Sequence, residues 1–162
     1  MKFRITTCIL ALLLSSCVSV KLGGSKVTSA KDVKFDAPSS PYKEIKAPNS
    51  DKAWISGKTG NTISYLSECG GTLDLSLTQI ESDSLTVMNK LEVLKAEVTQ
   101  FNGREAHKSI ASGEVDGVPV QISLVVFKKN NCNYTLSYGG VQRQFAAEEQ
   151  IFNRFVDSFK AP

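Results

Sequence analysis

Two dipeptides, Asn102-Gly103 and Asp116-Gly117, constrain the fold of this chain more than any other feature of its sequence. Both tolerate the positive φ angles that a two-residue turn between antiparallel strands requires. They separate strand-like stretches near residues 93–101, 104–115 and 118–127. The sequence therefore predicts consecutive hairpins, and so antiparallel strands, in this half of the chain.

The stretch after the second turn alternates as a half-buried strand does. One face carries five apolar side chains, and Gln121 and Ser123 lie on the other face; the five are Val118, Val120, Ile122, Leu124 and Val126. A turn over 128–131 leads to a fourth strand over 132–138, which completes a meander. An earlier hairpin is predicted from residues 54–56 and 61–67.

Two helices complete the predicted fold. Apolar residues at helical spacing indicate a first helix over about 75–90, and four phenylalanines at 145, 152, 155 and 159 indicate a second over 145–159. Hairpins with separate helices predict an α+β fold, with an antiparallel sheet of about six strands and helices packed on it. Whether the helices cover one face or both stays open.

The first residues predict export. Lys2 and Arg4 precede an apolar stretch over 5–14, which is shorter than the roughly 20 residues that a membrane-spanning helix needs. The next four residues, Leu14-Ser15-Ser16-Cys17, resemble the lipobox of bacterial lipoproteins, in which the cysteine carries diacylglycerol and an N-acyl chain. The resemblance implies a signal peptide over 1–16 and lipid attachment at Cys17, with Cys8 the weaker candidate. Because Val18 is not the Asp that retains many such lipoproteins in the inner membrane, the family rule favours the outer membrane, facing the periplasm.

The mature chain is expected to have a tether and one domain. Residues 17–52 contain three prolines and few large apolar residues, which predicts a lipidated, flexible N-terminal segment with a globular domain over 53–162. A short strand near residues 43–47 that docks on the domain is the open alternative. Cys8 is expected to leave with the signal peptide and Cys17 to be lipidated, so two cysteines remain. In an oxidising compartment, this even number predicts a disulfide between Cys69 and Cys132. A catalytic thiol or metal pair is the alternative, which no Cys-x-x-Cys motif or histidine cluster favours.

The charge distribution argues against a nucleic-acid partner. The chain carries a net +3, but Lys2 and Arg4 leave with the signal peptide. Residues 18–52 hold seven lysines and four acids, whereas residues 53–162 hold ten bases and twelve acids. The basic character therefore belongs to the tether, where it lies near anionic membrane headgroups. The domain itself is weakly acidic.

A family resemblance covers residues 53–162. The order of elements, with Gly103-Arg104-Glu105-Ala106, Asp116-Gly117-Val118-Pro119 and the Phe152-x-x-Phe155-x-x-x-Phe159 pattern, resembles that of a group of small bacterial lipoproteins. It is also similar to the PsbP-type α/β/α sandwich, named after the extrinsic photosystem protein. The resemblance implies a non-catalytic binding or assembly subunit, although a fold alone does not establish a function.

Candidate site residues fall into two groups. Trp54, Arg104, Tyr134 and Tyr138 are predicted to form a binding surface, and Lys128-Lys129 at a turn is an alternative contact for an anionic lipid or a partner. Glu105, His107 and Ser109 share one strand face and resemble a hydrolase triad in composition. Residues two apart on a strand are about 7 Å apart, too far for direct hydrogen bonds through such short side chains.

The sequence therefore predicts no catalytic residue, no metal site and no cofactor. We expect a lipid-anchored, non-enzymatic envelope protein that binds or helps assemble an envelope protein partner. A small-ligand-binding lipoprotein is the alternative, and a hydrolase using His107 is the weakest hypothesis. The oligomeric state stays open.

Overall fold

A computed structural model describes residues 26–71 and 74–162 as an antiparallel sheet with three helices. The elements in chain order are β1 (Tyr42–Ile45), β2 (Lys52–Ser56), β3 (Thr62–Cys69), α1 (Leu77–Leu85), β4 (Asn89–Phe101), β5 (Arg104–Val115), β6 (Val118–Lys129), β7 (Cys132–Val141), α2 (Gln142–Phe145) and α3 (Glu149–Ser158). The seven strands are ordered β1-β2-β3-β7-β6-β5-β4. The predicted α+β class and antiparallel sheet are confirmed, with β1 added to the six strands expected.

The two predicted turns, at Asn102-Gly103 and Asp116-Gly117, have the positive φ angles that a two-residue turn requires. Asn102 and Asp116 have φ angles of 52° and 50°, and Gly103 and Gly117 follow at 74° and 77°. The turn between β6 and β7 uses Asn130-Asn131 in the same way, with φ angles of 50° and 60°. Since positive φ at both central residues matches the twist of the flanking strands, each turn sets its hairpin register.

Helices cover both faces of the sheet. Leu124 and Val126 of β6 pack with Ile80 and Leu85 in one apolar cluster. Phe127 on the opposite face belongs to a larger cluster that contains the phenylalanines of α3. The expectation of one apolar face on this strand is therefore wrong in its second half, because β6 is a central strand with a helix on each side.

Both predicted helices are shorter than expected. Ser76 accepts a hydrogen bond from the Gln79 amide and begins α1, and Thr86 bonds back to the Asp83 carbonyl and ends it. Of the predicted helix over 145–159, only residues 149–158 form a helix, α3, whereas Phe145 ends the separate short helix α2. Glu148, just before α3, has a φ of −134°, which is not helical. The Glu148 carboxylate is turned into the fold, which the sequence pattern does not reveal.

The segment predicted to be a flexible tether belongs to the domain from Thr28 onward. Thr28 exchanges two backbone hydrogen bonds with Cys69, at 3.1 and 2.8 Å, and Lys34 does so with Lys160, at 3.0 and 2.7 Å. Phe35 packs its ring against four aromatic rings of the core, those of Trp54, Tyr65, Phe155 and Phe159. The boundary at residue 53 is therefore wrong, because it falls inside β2. The alternative of a docked strand near 43–47 is confirmed as β1.

The disulfide predicted between Cys69 and Cys132 is present, with an S–S distance of 1.99 Å. It joins directly opposite residues of β3 and β7. Cys8, Cys17 and the proposed signal peptide lie outside the described residues. No helix within residues 26–71 and 74–162 is long and apolar enough to cross a membrane.

Candidate binding cleft

Three of the four residues predicted to form a binding surface lie in the core. Trp54, Tyr134 and Tyr138 are almost completely buried. Trp54 contacts Phe155 at 5.6 Å between ring centroids, and Tyr134 stacks on Phe127 at 4.8 Å. The prediction is wrong for Tyr134 and Tyr138 because β7 is the central strand of the sheet rather than its rim. It is wrong for Trp54 on β2 because Phe35 and Phe155 cover its ring.

The hydroxyl of Tyr138 is held by two local partners. Tyr138 donates to the Phe145 carbonyl and accepts from Asn61 Nδ2 at 2.8 Å. Burial raises the pKa of Tyr138 to about 12, with a smaller contribution from the charge of Glu148. Such a hydroxyl stays protonated and serves packing rather than acid–base chemistry.

Arg104, the fourth predicted residue, lines a cleft of about 740 Å³ at the ends of β3, β6 and β7. The turn at Asn102-Gly103 places Arg104 as the first residue of β5. Asn133 on β7 is paired with Glu68 on β3 and with Lys128 on β6, so these three residues lie side by side across the sheet. The polar and charged residues around the cleft are Glu68, Asp74, Arg104, Lys128, Lys129, Asn130, Asn131 and Asn133.

The two lysines of the cleft are already engaged. Lys128 Nζ donates to the Asp74 carboxylate and, at 3.0 Å, to the Leu75 carbonyl, and this contact lowers the pKa of Asp74. Lys129 Nζ donates to the Ala161 carbonyl at 2.8 Å. Both therefore anchor neighbouring segments, which weakens the alternative that they contact an anionic partner.

Arg104 and Glu68 are the charged groups that remain for a ligand. Among the described residues, neither side chain has a hydrogen-bond partner. A guanidinium binds carboxylate or phosphate through paired donors, and Glu68 accepts from an amine or amide. Together with nearby asparagine side chains, they suit a polar ligand or a peptide that carries both signs of charge.

The polar residues on β5 do not form a triad. His107 Nδ1 lies 3.2 Å from Glu81 Oε2 on α1, a partner that the sequence does not suggest because α1 and β5 are far apart in the chain. Ser109 is only 3% exposed, and its hydroxyl has no hydrogen-bond partner within the described chain. Glu105 is exposed. A buried hydroxyl cannot attack a substrate, so these residues do not assemble a hydrolytic site.

A second polar cluster, also absent from the predictions, surrounds Glu148. Its carboxylate accepts hydrogen bonds from Tyr42 at 3.1 Å, Ser56 at 2.9 Å and Thr59 at 2.6 Å. Burial, and then the negative charge of Glu148, raise the pKa of Tyr42 well above its ordinary range. The cluster fixes the joint between α2 and α3 against the first strands, and its role is structural.

Comparisons with known proteins concern the fold. No protein-family model matches the chain, and no curated protein matches its sequence. Its structure is similar to that of cyanobacterial PsbP (CyanoP) from Synechocystis sp. PCC 6803, with a TM-score of 0.56 and 14% identity over 92% of this chain and 99% of that one. The chain has a PsbP-like fold. At this identity the likeness shows the fold alone.

A second structure similar to this chain is that of LpqN from Mycobacterium tuberculosis, described as involved in cell envelope biogenesis. Its TM-score is 0.61 with 10% identity, over 85% of this chain and 86% of that one. The predicted similarity to the PsbP-type sandwich is confirmed by these structures, and the helices on both faces complete the α/β/α layers.

Proposed function

We propose that this PsbP-like chain is a lipid-anchored accessory domain of the bacterial cell envelope, which binds a partner and catalyses no reaction. The lipobox-like residues ending at Cys17 support the anchor. The envelope role of LpqN, a structural neighbour, supports the location. The burial of Ser109 beside His107 supports binding over hydrolysis.

The position of the Arg104 cleft carries this proposal. Val27 lines the cleft, and Thr28 pairs with Cys69 next to it. A lipid on Cys17 is therefore attached to the domain from the side on which the cleft opens. The cleft then lies near the membrane, where Arg104 and Glu68 bind complementary charged groups of a membrane-associated envelope protein.

A small ligand is the second candidate for the same cleft. Its volume of about 740 Å³ falls within the roughly 300–1,000 Å³ typical of small-molecule sites. Such a ligand would contact Arg104 rather than the buried aromatic residues. The ligand-binding hypothesis therefore applies to this cleft and not to a pocket beside Trp54, Tyr134 and Tyr138.

The anchor is tested by Cys17→Ala in the full chain. We expect the variant to leave the membrane fraction after a carbonate wash, because acylation at Cys17 supplies the attachment. Cys8→Ala is the matched control and should remain in the outer-membrane fraction. Continued pelleting of Cys17→Ala would refute lipid attachment at this residue.

The cleft is tested by Arg104→Glu, with Arg154→Glu on the exposed surface of α3 as the matched charge control. Chemical cross-linking in envelopes should recover a specific protein with the parent chain and with the control, and at least about tenfold less with Arg104→Glu. Native mass spectrometry of the parent chain distinguishes the second candidate. A co-purified small molecule that depends on Arg104 would replace the protein partner, and recovery that is equal for both variants would refute the cleft.

A further inference from the structure

β4 is an edge strand of unusual length. It spans 13 residues at one edge of the sheet, and no described segment pairs with its outer side. The opposite edge strand, β1, has only four residues and lies between Pro41 and Pro48. Short, proline-flanked edges resist pairing with other chains, whereas a long edge offers a row of free backbone donors and acceptors.

Apolar side chains make this edge costly to leave in water. Leu91, Val93, Leu94 and Val98 are all exposed, and Val98 reaches 64%. Clustered exposed apolar residues on a soluble domain mark interaction surfaces. An added strand would cover them while satisfying the free backbone groups of β4.

The regular part of β4 is confined to its second half. Register shifts against β5 occur between Asn89 and Glu92 and between Val93 and Lys95. From Lys95 to Phe101 each residue pairs in sequence with a residue of β5. Because bulges interrupt pairing, we expect the pairing of a new strand to be centred within residues 95–101.

The charges on this segment are self-complementary. Lys95 and Glu97 lie on the same face, with Nζ and Oε2 3.3 Å apart within one chain. We infer that a second copy of this chain pairs with β4 in antiparallel orientation, β4 to β4, about a two-fold axis at Ala96. This register places Lys95 of each copy opposite Glu97 of the other, with residues 98–101 alongside the bulged residues 91–94. It joins two sheets into one of fourteen strands.

Other symmetric registers are disfavoured by the same residues. A two-fold axis at Lys95 or at Glu97 places like charges directly opposite each other, which destabilises strand pairing. An axis at Val98 places Lys95 opposite Phe101, with no charge partner. Of these axes, only the one at Ala96 places Lys95 and Glu97 opposite residues of opposite charge. The order of charges therefore favours a second copy of the chain in this register. This inference is independent of the Arg104 cleft.

Charge exchange tests the register. Two differently tagged copies of the full chain are produced in one cell and purified through one tag from a detergent extract. Lys95→Glu or Glu97→Lys alone makes both facing pairs repulsive, so co-purification should fall by about tenfold or more. The double variant, Lys95→Glu with Glu97→Lys, restores opposite charges across the interface and should restore co-purification. Unchanged recovery with the single variants, or no rescue by the double variant, would overturn the inference.

Cysteine cross-linking tests the position of the axis. In the inferred register the two copies of residue 96 are directly opposite, with Cβ atoms about 5 Å apart. Residues 98 are separated by four positions along the strand, about 13 Å. Ala96→Cys should therefore give a disulfide-linked dimer on mild oxidation in intact cells, whereas Val98→Cys should match the background of the parent chain. Equal cross-linking of the two variants would overturn the register.

Discussion

Phe35→Ala should destabilise the domain by about 2–4 kcal/mol, although the sequence places Phe35 in a linker. The ring of Phe35 lies 5.3 Å from that of Tyr65 and 5.6 Å from those of Trp54 and Phe155, between centroids. Truncating a fully buried phenylalanine costs about 3–5 kcal/mol, and each aromatic pair adds about 0.5–1.5 kcal/mol beyond area burial. Phe35 is only partly buried, so we expect a cost about 1 kcal/mol below that of a fully buried phenylalanine.

Urea denaturation of the oxidised full chain, followed by tryptophan fluorescence, provides the measurement. Trp54 reports on this region because it contacts Phe35. We expect a lower midpoint and a decrease in melting temperature of roughly 10 °C. The control is Val87→Ala, at a side chain 70% exposed, which should change the free energy of unfolding by less than about 0.5 kcal/mol.

A Phe35→Ala midpoint equal to that of the control would refute the docking of this segment. It would mean that residues before β1 contribute nothing to the folded domain. A lower slope of free energy against urea concentration with an unchanged midpoint would point instead to a change in the denatured state.

Two further predictions concern buried groups. All four tyrosines have raised pKa values, because burial disfavours the phenolate, and that of Tyr138 is about 12. Their contribution to stability is therefore complete below the unfolded pKa of 10.0 and is lost as the pH rises above it. At pH 10, absorbance at 295 nm should show less phenolate in the folded chain than in the urea-unfolded chain, and equal phenolate in the two would refute the burial. Gly140→Ala should cost about 2 kcal/mol or more in urea denaturation, because a Cβ would lie 1.9 Å from Asn61 Oδ1, whereas Gly57→Ala meets nothing closer than 3.7 Å. Equal stability of the two alanine variants would contradict this packing.

Local chemistry accounts for what the sequence predicts well. Asn102-Gly103 and Asp116-Gly117 specify tight turns by their own backbone preferences, so β5 begins and ends at the predicted residues. An oxidising compartment and an even number of cysteines predict the disulfide, and the register of β3 with β7 places Cys69 and Cys132 opposite each other. Neither inference requires knowledge of the whole sheet.

The sequence could not show which side chains are buried where burial depends on the order of strands in the sheet. Tyr134 and Tyr138 belong to the core because β7 lies between β3 and β6, although it is the last strand in the chain. Phe35 is an isolated aromatic residue in a polar stretch, so no periodicity indicates its docking. Glutamate is ordinarily exposed, so the burial of Glu148 is not expected from the sequence. Its burial depends on the hydroxyl groups of Tyr42, Ser56 and Thr59, which come together only after folding.

Under the proposed lipidation of Cys17, the docking of Thr28 limits the distance between the domain and the membrane. With Cys17 as the lipidated residue, eleven steps of backbone connect the bilayer to the first bridge with the sheet. Whatever their conformation, eleven residues cannot extend beyond about 40 Å, compared with about 130 Å if attachment began at residue 53. A domain anchored in the proposed way is therefore restricted to a thin layer beside the bilayer. Copies that share this layer search for one another almost in two dimensions, which favours encounters between their exposed edges.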